Sequence, residues 1–519
     1  MTQTGCSFLS QTPDRIFSPE QFGSDERLMV ETAEDFSRKE VLPLLDRLDH
    51  QEDGLMPSLI RKAGQLGLCG VDTPEAYGGL GLSKNLAARI LEFMSLNGSF
   101  SVTFGITSGI SQVGLSLFGT EDQKNEYLPR LASGEWIGAY ALSEPNSGSD
   151  ALSASTRADR RGSDYVLNGT KMWISNAKWA EFFLVMAKVD GAKFSAFLVE
   201  RDFPGVSVAR EEHKMGLKGS STARLVLENA IVPARNLLHE EGLGHHVAFN
   251  ALNIGRFKLA SMSIGPCRDA MALAARYALD RKQFGRSIAE FGLIRKKFAL
   301  MAAQFYAAES MIYRTGSLID EAFDAFGGTI DGNRKAAEEF AIECSAGKVF
   351  STEAEAFIVD EALQVYGGYG FTEEFPIARH YRDARVSRIY EGTNEINRLF
   401  IADRFAKRVS DGRIPGVASG DSFISELAGK ALKLLSKDQI VTGAVSDLIL
   451  LAYAEQSARL RSEQTDETNK RLYRAVLPTL NARAAEFFQI ISGVAVQVPA
   501  PPVNELDSLG AETIARLGG

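Results

Sequence analysis

Residues 364–398 read QVYGGYGFTEEFPIARHYRDARVSRIYEGTNEINR. Within them, Tyr366-Gly367-Gly368-Tyr369-Gly370 puts three glycines into five residues after an apolar helical run, a place for a sharp turn or for a ligand to approach bare backbone. Farther on, Tyr390-Glu391-Gly392-Thr393-Asn394 sets one acid directly before Gly392-Thr393, which has the chemistry of a helix N-cap. Arg379, Arg382, Arg385 and Arg388 recur at every third residue between the two, as on a helix or tight coil. Spacing alone fits two helix ends with a solvated charged face as readily as a ligand site, because glycine pairs and charge runs are common.

Downstream, residues 411–416 (DGRIPG) read as a linker, residues 420–493 as amphipathic helices, and Val498-Pro499-Ala500-Pro501-Pro502 as the start of an irregular tail. Upstream, residues 246–409 carry long helical patterns, with Gly327-Gly328 and Asp331-Gly332 as the break, which suggests an antiparallel bundle. Between residues 136 and 239 the period changes to that of strands. Asn168-Gly169 and Asp190-Gly191 are the hairpin signals there, and the block reads as a small antiparallel β domain. Residues 24–135 are helical again: Leu28, Val30, Ala33, Phe36, Val41 and Leu42 form an apolar stripe that Leu59, Ala63 and Leu66 continue.

The uncharged run 98–119 is long enough to raise the question of a membrane span, but its Ser, Thr, Gly and Gln content is that of a buried helix. Gly105 and Gly109, four apart, make one face of that helix shallow, either as a groove or for close helix packing.

The 519 residues should hold three or four structural units, and 45% hydrophobic with 24% charged content is ordinary for a globular protein. A net charge of -9 argues against non-specific nucleic-acid binding. Cys6, Cys69, Cys267 and Cys344 are far apart without CxxC spacing, so neither a disulfide framework nor a metal site is expected, and a reducing compartment is. The first residues lack an apolar segment and carry acids early, which reads as a cytoplasmic protein.

The 364–398 segment resembles the second signature of the acyl-CoA dehydrogenase family, QxxGGxGF followed by an acid–base run and YEGT. Residues 141–150 (ALSEPNSGSD) resemble its first signature, in the family's order and at about its spacing, and the resemblance covers roughly residues 25–410. It implies an α+β architecture: an N-terminal helical domain (24–135), a middle antiparallel β domain (136–245), a C-terminal four-helix bundle (246–410) and an extra helical extension (411–519).

The implied chemistry removes the α-proton of an acyl-CoA thioester while the β-hydrogen passes to FAD. This needs a carboxylate, an enolate-stabilising donor pair and an apolar wall beside the flavin. By resemblance Glu391 is the base, and Gly392 lets the substrate approach. Some family branches place the acid on a bundle helix just before an arginine; that position here is Gly255, so Glu391 has no rival. Asn253 and Arg256 match substrate-contacting positions, although Arg256 also reads as a plain surface arginine. Gly105 and Gly109 resemble small residues lining the deep end of an acyl tunnel.

For the cofactor, Tyr140, Leu142 and Ser143 match the strand that meets the flavin ring, and Ser149 a contact toward the CoA end. Trp173 and Ser175 match the residues covering the ring; a tryptophan alone is more often core. Arg281, Gln283 and Phe284 lie in a match to the pyrophosphate-binding RxxFG motif, which the family shares between subunits, and Arg281 suits a bidentate phosphate contact. Gln364, Gly367 and Gly368 match the adenosine and pyrophosphate end, and Thr393 and Glu395 close the site. A homodimer and electron-transfer flavoprotein as partner are implied with it.

Gly292, in Phe291-Gly292-Leu293-Ile294, replaces a glutamine common in the family. That change, Asn394-Glu395-Ile396 and the extension resemble the very-long-chain branch. The extension is shorter than that branch's, so membrane attachment is not expected. The competing readings are an acyl-CoA oxidase, whose chains are longer, and an assembly factor for a respiratory complex, which relatives in this branch become.

Overall fold

The computed structural model describes residues 4–415, 421–499 and 505–519. Gly416 of the expected linker and Ala500, Pro501 and Pro502 of the expected tail lie outside the described residues. N-terminal helices, a middle sheet, C-terminal helices and further helices beyond them follow one another along the chain. The chain divides into two compact units, one of Asp25–Lys258 with Ala322–Glu338, the other of Met1–Ser24, Leu259–Glu321 and Glu339–Gly519.

In the first unit the helices begin where short polar side chains can take up free backbone N–H groups. Ser83 Oγ accepts from Leu86 N at 3.1 Å, Asn97 Oδ1 from Phe100 N at 3.0 Å, and Thr120 and Gln123 form a reciprocal capping box. The 98–119 run is buried and bent: helices Gly98–Gly105 and Ser111–Phe118 are joined by a π-turn, Ile106–Ile110, in which Gly109 leaves helical geometry (φ −126°, ψ −107°). Lys258 holds the bend, its ammonium donating to the Ser108 carbonyl and to Asp72 Oδ1, both at 2.9 Å, while Lys84 donates to Asp72 Oδ2 at 2.9 Å. Burial alone would raise the Asp72 pKa, but the two ammonium groups outweigh it and hold the carboxyl below its usual range.

Eight strands form one sheet among the described residues: β1 (Gly138–Ala141), β2 (Arg157–Arg161), β3 (Asp164–Ser175), β4 (Phe182–Val189), β5 (Lys193–Glu200), β6 (Val206–Glu211), β7 (Thr222–Pro233) and β8 (Leu237–Leu238). The order is β6-β7-β3-β2-β4-β5-β8, with β1 on β4, and the pairings are antiparallel except for β1 and β2 against β4. Asp190 (φ 53°) and Gly191 (φ 73°) make the tight turn expected between β4 and β5, with positive φ at both central residues as a type I′ turn requires.

Asn168-Gly169 does not make the expected turn. It runs on within β3 opposite a bulge in β7, because β7 goes from Ala230 to Leu227 where β3 goes only from Leu167 to Gly169, and Asn168 Oδ1 accepts from Asn229 N at 2.8 Å. A Cβ on Gly169 would lie 2.4 Å from Thr156 Oγ1, so only glycine fits.

The second unit is helical. Most of Gly244–Asp280 and Gly292–Phe326 belongs to it; Gly327 and Gly328 fall in the expected break, whereas Asp331 and Gly332 lie inside helix Ile330–Glu339, which belongs to the first unit except for its last residue. Asp331 there accepts from Arg334 and Lys335, an acid in the first helical turn, where the helix dipole favours it. Helix Ala341–Tyr366 is buried along most of its length and packs against Asn394–Ser410 and Gln439–Glu463.

The extension is thus part of this unit's core. Val445, Leu448, Ile449, Leu450, Leu451 and Tyr453 of Gln439–Glu463 are fully buried. At about 1.5–3 kcal/mol each their burial is worth about 9–18 kcal/mol, comparable to the whole net stability of a typical domain. The tail expected to be irregular ends in a helix, Leu506–Gly518, which buries Leu509 and Ile514 and sets Gly510 so close to the Arg295 carbonyl that a Cβ would lie 1.9 Å from it. The N-terminal residues also join this core: Cys6, Phe8, Leu9 and Phe22 are buried, and Phe8 and Tyr453 rings sit 4.7 Å apart.

Candidate active site

Glu391 lies in the turn between the 3-10 segment Arg385–Arg388 and helix Asn394–Ser410. Its backbone is left-handed (φ 57°), as is that of Gly392 (φ 79°). For a residue with a Cβ this costs on the order of 1–3 kcal/mol and persists only where the surroundings over-determine it. Here Asn397 Nδ2 donates to the carbonyls of Glu391, Gly392 and Thr393 at 3.4, 2.8 and 3.0 Å, and the fully buried Lys348 donates to the Gly392 carbonyl at 2.9 Å. Thr393 caps the next helix, its Oγ1 accepting from Ile396 N at 3.2 Å, and Glu395 is exposed in the first turn.

Behind this turn, on Ala341–Tyr366, Glu355 is 4% exposed; burial pushes its carboxyl up to about 8, against which the Ser387 and Ser263 hydroxyls have little effect. Burial also raises the Tyr390 phenol, and the Glu355 and Glu391 charges raise it further.

The same unit brings two other expected segments together. Lys282–Gln283 and Arg286–Ser287 pair as a small hairpin whose turn is Phe284 (φ 51°) and Gly285 (φ 79°), and Phe284 is 94% exposed. Arg281, at its base, lies 5.7 Å from the centre of the Tyr369 ring, which puts the RxxFG motif beside the glycine cluster 367–370. Gly367 (φ 59°, ψ −137°) ends the preceding helix in a conformation open to glycine, and neither it nor Gly368 has a neighbour within 4 Å of an added Cβ. Gln364 is exposed on the last turn of that helix. Tyr277 was not foreseen: its ring stacks on Tyr366 at 4.2 Å and meets the edge of Tyr369 at 6.5 Å, fixing the cluster, but no motif contains it.

In the other unit the end of β1 and the middle of β3 meet. Met172 N donates to the Ser143 carbonyl at 2.9 Å, and Lys171 Nζ to the Leu142 carbonyl at 3.2 Å and to Glu144 Oε1 at 2.6 Å. Both side chains of this ion pair are buried. Burial would raise the Glu144 carboxyl, but Lys171 and the donors at Ser155 and Thr156 hold it down near about 2. The acid of the first signature is therefore an anchor, which its spacing did not reveal.

Trp173 stands on β3 with φ 62° and 57% exposed, a strained and solvent-facing tryptophan rather than a core one. Ser175 ends that strand, Tyr140 donates to the Ala248 carbonyl at 3.4 Å, and Ser149 is in an exposed loop. Arg256 is only 6% exposed, so it is not the surface arginine its sequence also allowed; it donates to Asn253 Oδ1 at 3.1 Å. Gly105 and Gly109 are buried, and a Cβ on Gly109 would lie 3.2 Å from Lys258 Cδ, so a lysine stem occupies the space beside it.

Models of the N-terminal, middle and C-terminal domains of acyl-CoA dehydrogenases match residues 23–135, 139–230 and 242–406. The chain is 44% identical over 504 residues to a probable acyl-CoA dehydrogenase of Bacillus subtilis, a match covering 89% of this chain and 85% of that one. It is 41% identical over 350 residues to the human mitochondrial very long-chain specific acyl-CoA dehydrogenase, covering 65% of this chain and 51% of that protein. The crystal structure of an acyl-CoA dehydrogenase complexed with FAD from Bacillus anthracis superposes with a TM-score of 0.93 at 39% identity, covering 99% of each chain. The chain belongs to the acyl-CoA dehydrogenase family.

Proposed function

We propose that the protein is an FAD-dependent dehydrogenase that converts long or very-long-chain acyl-CoA thioesters to trans-2-enoyl-CoA, with Glu391 as the base. The observation that carries this is the turn at Glu391: a carboxylate on a left-handed backbone whose three successive carbonyls are tied down by Asn397 and Lys348. A base must sit within hydrogen-bond reach of the proton it takes, and strain held by such a frame is how a side chain is fixed before the substrate arrives. The Glu391 carboxylate takes the α-proton; its own backbone N–H and the bare Gly392 beside it serve the thioester end. Arg256 and Asn253, buried and bonded to each other, orient the substrate.

The residues present fit FAD. Gly367 and Gly368 offer uncovered backbone, Arg281 stands beside them with a phosphate-binding guanidinium, and Trp173 presents a half-exposed indole. FAD, when bound, takes up the two electrons removed from the acyl chain. Tyr140, Leu142, Ser143, Ser149 and Ser175 would hold its flavin end and the adjoining CoA, and Gln283, Phe284, Gln364, Thr393 and Glu395 its dinucleotide tail. The fully exposed Phe284 hairpin supports a dimer in which each subunit contributes to the other's cofactor site. Electron-transfer flavoprotein is the natural acceptor.

Purified protein should carry an FAD absorption band that palmitoyl-CoA bleaches anaerobically. Glu391→Gln should retain FAD and slow bleaching by about 10²–10⁴-fold, the usual contribution of a positioned base. Bleaching near the wild-type rate would show that another group takes the proton.

A further inference from the structure

The turn that carries Glu391 is held, through a line of polar contacts that runs from the buried Lys348 out to part-buried side chains, by the helices beyond residue 410. Lys348 Nζ, which donates to the Gly392 carbonyl, also donates to Asn394 Oδ1 at 2.7 Å. Asn394 Nδ2 donates to Glu353 Oε1 at 3.3 Å, and the same oxygen takes Arg398 Nη2 at 2.7 Å. From there two contacts cross into the extension: Arg398 Nε lies 2.9 and 3.0 Å from the two oxygens of Asp447, and Arg483 Nη2 donates to Glu353 Oε2 at 3.1 Å. Asp447 stands on Gln439–Glu463 and Arg483 on Glu467–Ser492, whereas the family's C-terminal domain model ends at residue 406.

We infer that Asp447 and Arg483 are positioning residues, through which the C-terminal extension fixes the Glu391–Gly392 turn. Asp447 holds the plane of the Arg398 guanidinium, and Arg483 pins the far oxygen of Glu353. Between them they leave Glu353 one orientation in which it can accept from Arg398 and Asn394 at once. Asn394 is 3% exposed and Lys348 fully buried, so neither can turn to water if that orientation is lost. The Asn394 amide fixes where the Lys348 ammonium points, and the ammonium fixes the Gly392 carbonyl, and with it the strained backbone that aims Glu391. Without Asp447 and Arg483 the first three links remain bonded but are free to rock. A base displaced by an ångström loses up to about a hundredfold in rate without losing its substrate.

This inference rests on Glu391 as the base, and its test separates the two. Full-length Asp447→Ala/Arg483→Ala and, as a control, Arg474→Ala would be prepared with FAD; both acidic partners of Arg474, Glu467 and Glu505, lie on the extension itself. Three quantities are read: the rate of flavin bleaching at saturating palmitoyl-CoA, its half-saturating concentration, and hydrogen exchange of the peptide spanning residues 390–398 without substrate.

The double variant should bleach roughly ten- to a hundredfold more slowly with FAD content and half-saturation unchanged, and residues 390–398 should exchange faster, while Arg474→Ala matches wild type in all three. A bleaching rate within about twofold of wild type, a loss that only tracks missing FAD, or unchanged exchange at 390–398 would overturn the inference. If the double variant does not fold, Asp447→Asn, which keeps the volume but not the charge, is read the same way, and wild-type exchange and rate in it overturn the inference equally. Wild-type protein that no acyl-CoA bleaches would instead remove the base assignment, leaving the exchange result to decide the positioning.

Discussion

Replacing Glu355 by Gln should make the protein more stable above neutral pH and leave it nearly unchanged below pH 5. In the folded chain this carboxyl keeps its proton until about 8, because it is buried, whereas its ordinary value is 4.5. Between those two values the folded state binds the proton and the unfolded state does not, so raising the pH favours unfolding. The loss begins near the ordinary value, grows through neutrality and levels off above about 8. At 1.36 kcal/mol per tenfold change in proton affinity, the full displacement is worth roughly 4–5 kcal/mol, an upper value if water reaches the group. Gln has the shape of the protonated acid and nothing to titrate, so it should remove that penalty. For a unit of this size, melting by calorimetry at about pH 8.5 should rise by roughly 5–10 °C over wild type, with near coincidence at about pH 5. The Tyr390 phenol, which feels the Glu355 charge, is raised far above this pH range, so the difference reads chiefly this carboxyl. A Gln variant less stable at pH 8.5, or one shifted equally at both pH values, would refute a buried neutral carboxyl.

Lys171→Met should destabilise the sheet-bearing unit by about 3–5 kcal/mol in urea unfolding, since it leaves Glu144 buried without its cation, and Lys171→Met/Glu144→Gln should recover most of that loss. In wild type the contribution of Glu144 is present above its ordinary value and should fade as the pH falls from 4.5 toward about 2, which acid unfolding of the two proteins would show. Arg281→Ala should weaken FAD retention and dimer stability together, measured by absorbance after gel filtration and by sedimentation; a monomer holding stoichiometric FAD would count against a shared site. Gly109→Ala should lower the melting temperature and depress C8 and C16 substrates alike, because the new Cβ meets the Lys258 stem at 3.2 Å and the stem must give way. Selective loss of C16 turnover in a folded, FAD-loaded variant would instead support an acyl tunnel beside Gly105 and Gly109.

The layers of the fold were legible because the apolar period changes from helical to alternating and back, and Asp190-Gly191 marks its turn with residues that tolerate positive φ. The same chemistry misled at Asn168-Gly169, which continues β3 opposite a bulge in β7; only the run of β7 alongside shows that the chain does not turn there. Glu391 is singled out by its motif, but its backbone strain is not: Glu is a poor residue for a left-handed turn, and what keeps it there are Lys348 and Asn397, which no local pattern ties to it. Lys348 and Glu355 sit on a helix buried nearly all round, so the polar-out rule that makes amphipathic helices readable does not apply. Tyr277 and the pairs that bind the extension were invisible for a similar reason, since each gains its role only from a partner far away in the chain.

The burial of residues 5–9 has a consequence for synthesis. Gly5 is bonded to Glu339 and Arg408, and the Phe8 carbonyl accepts from Gln456 at 3.1 Å. Residues 5–9 therefore wait for a seat made by residues 334 to 448 positions later in the chain. At roughly 5–20 residues per second that interval is on the order of 20–90 s, during which Phe8 and Leu9 have no place of their own. The unit built on Asp25–Lys258 is made of residues that end at Glu338, and so is fully synthesised earlier. Production of the protein should thus depend on whatever shields the apolar segment around Ser7–Leu9 until Gln456 has been made, and a bulky domain inserted directly ahead of Cys6 should hinder maturation.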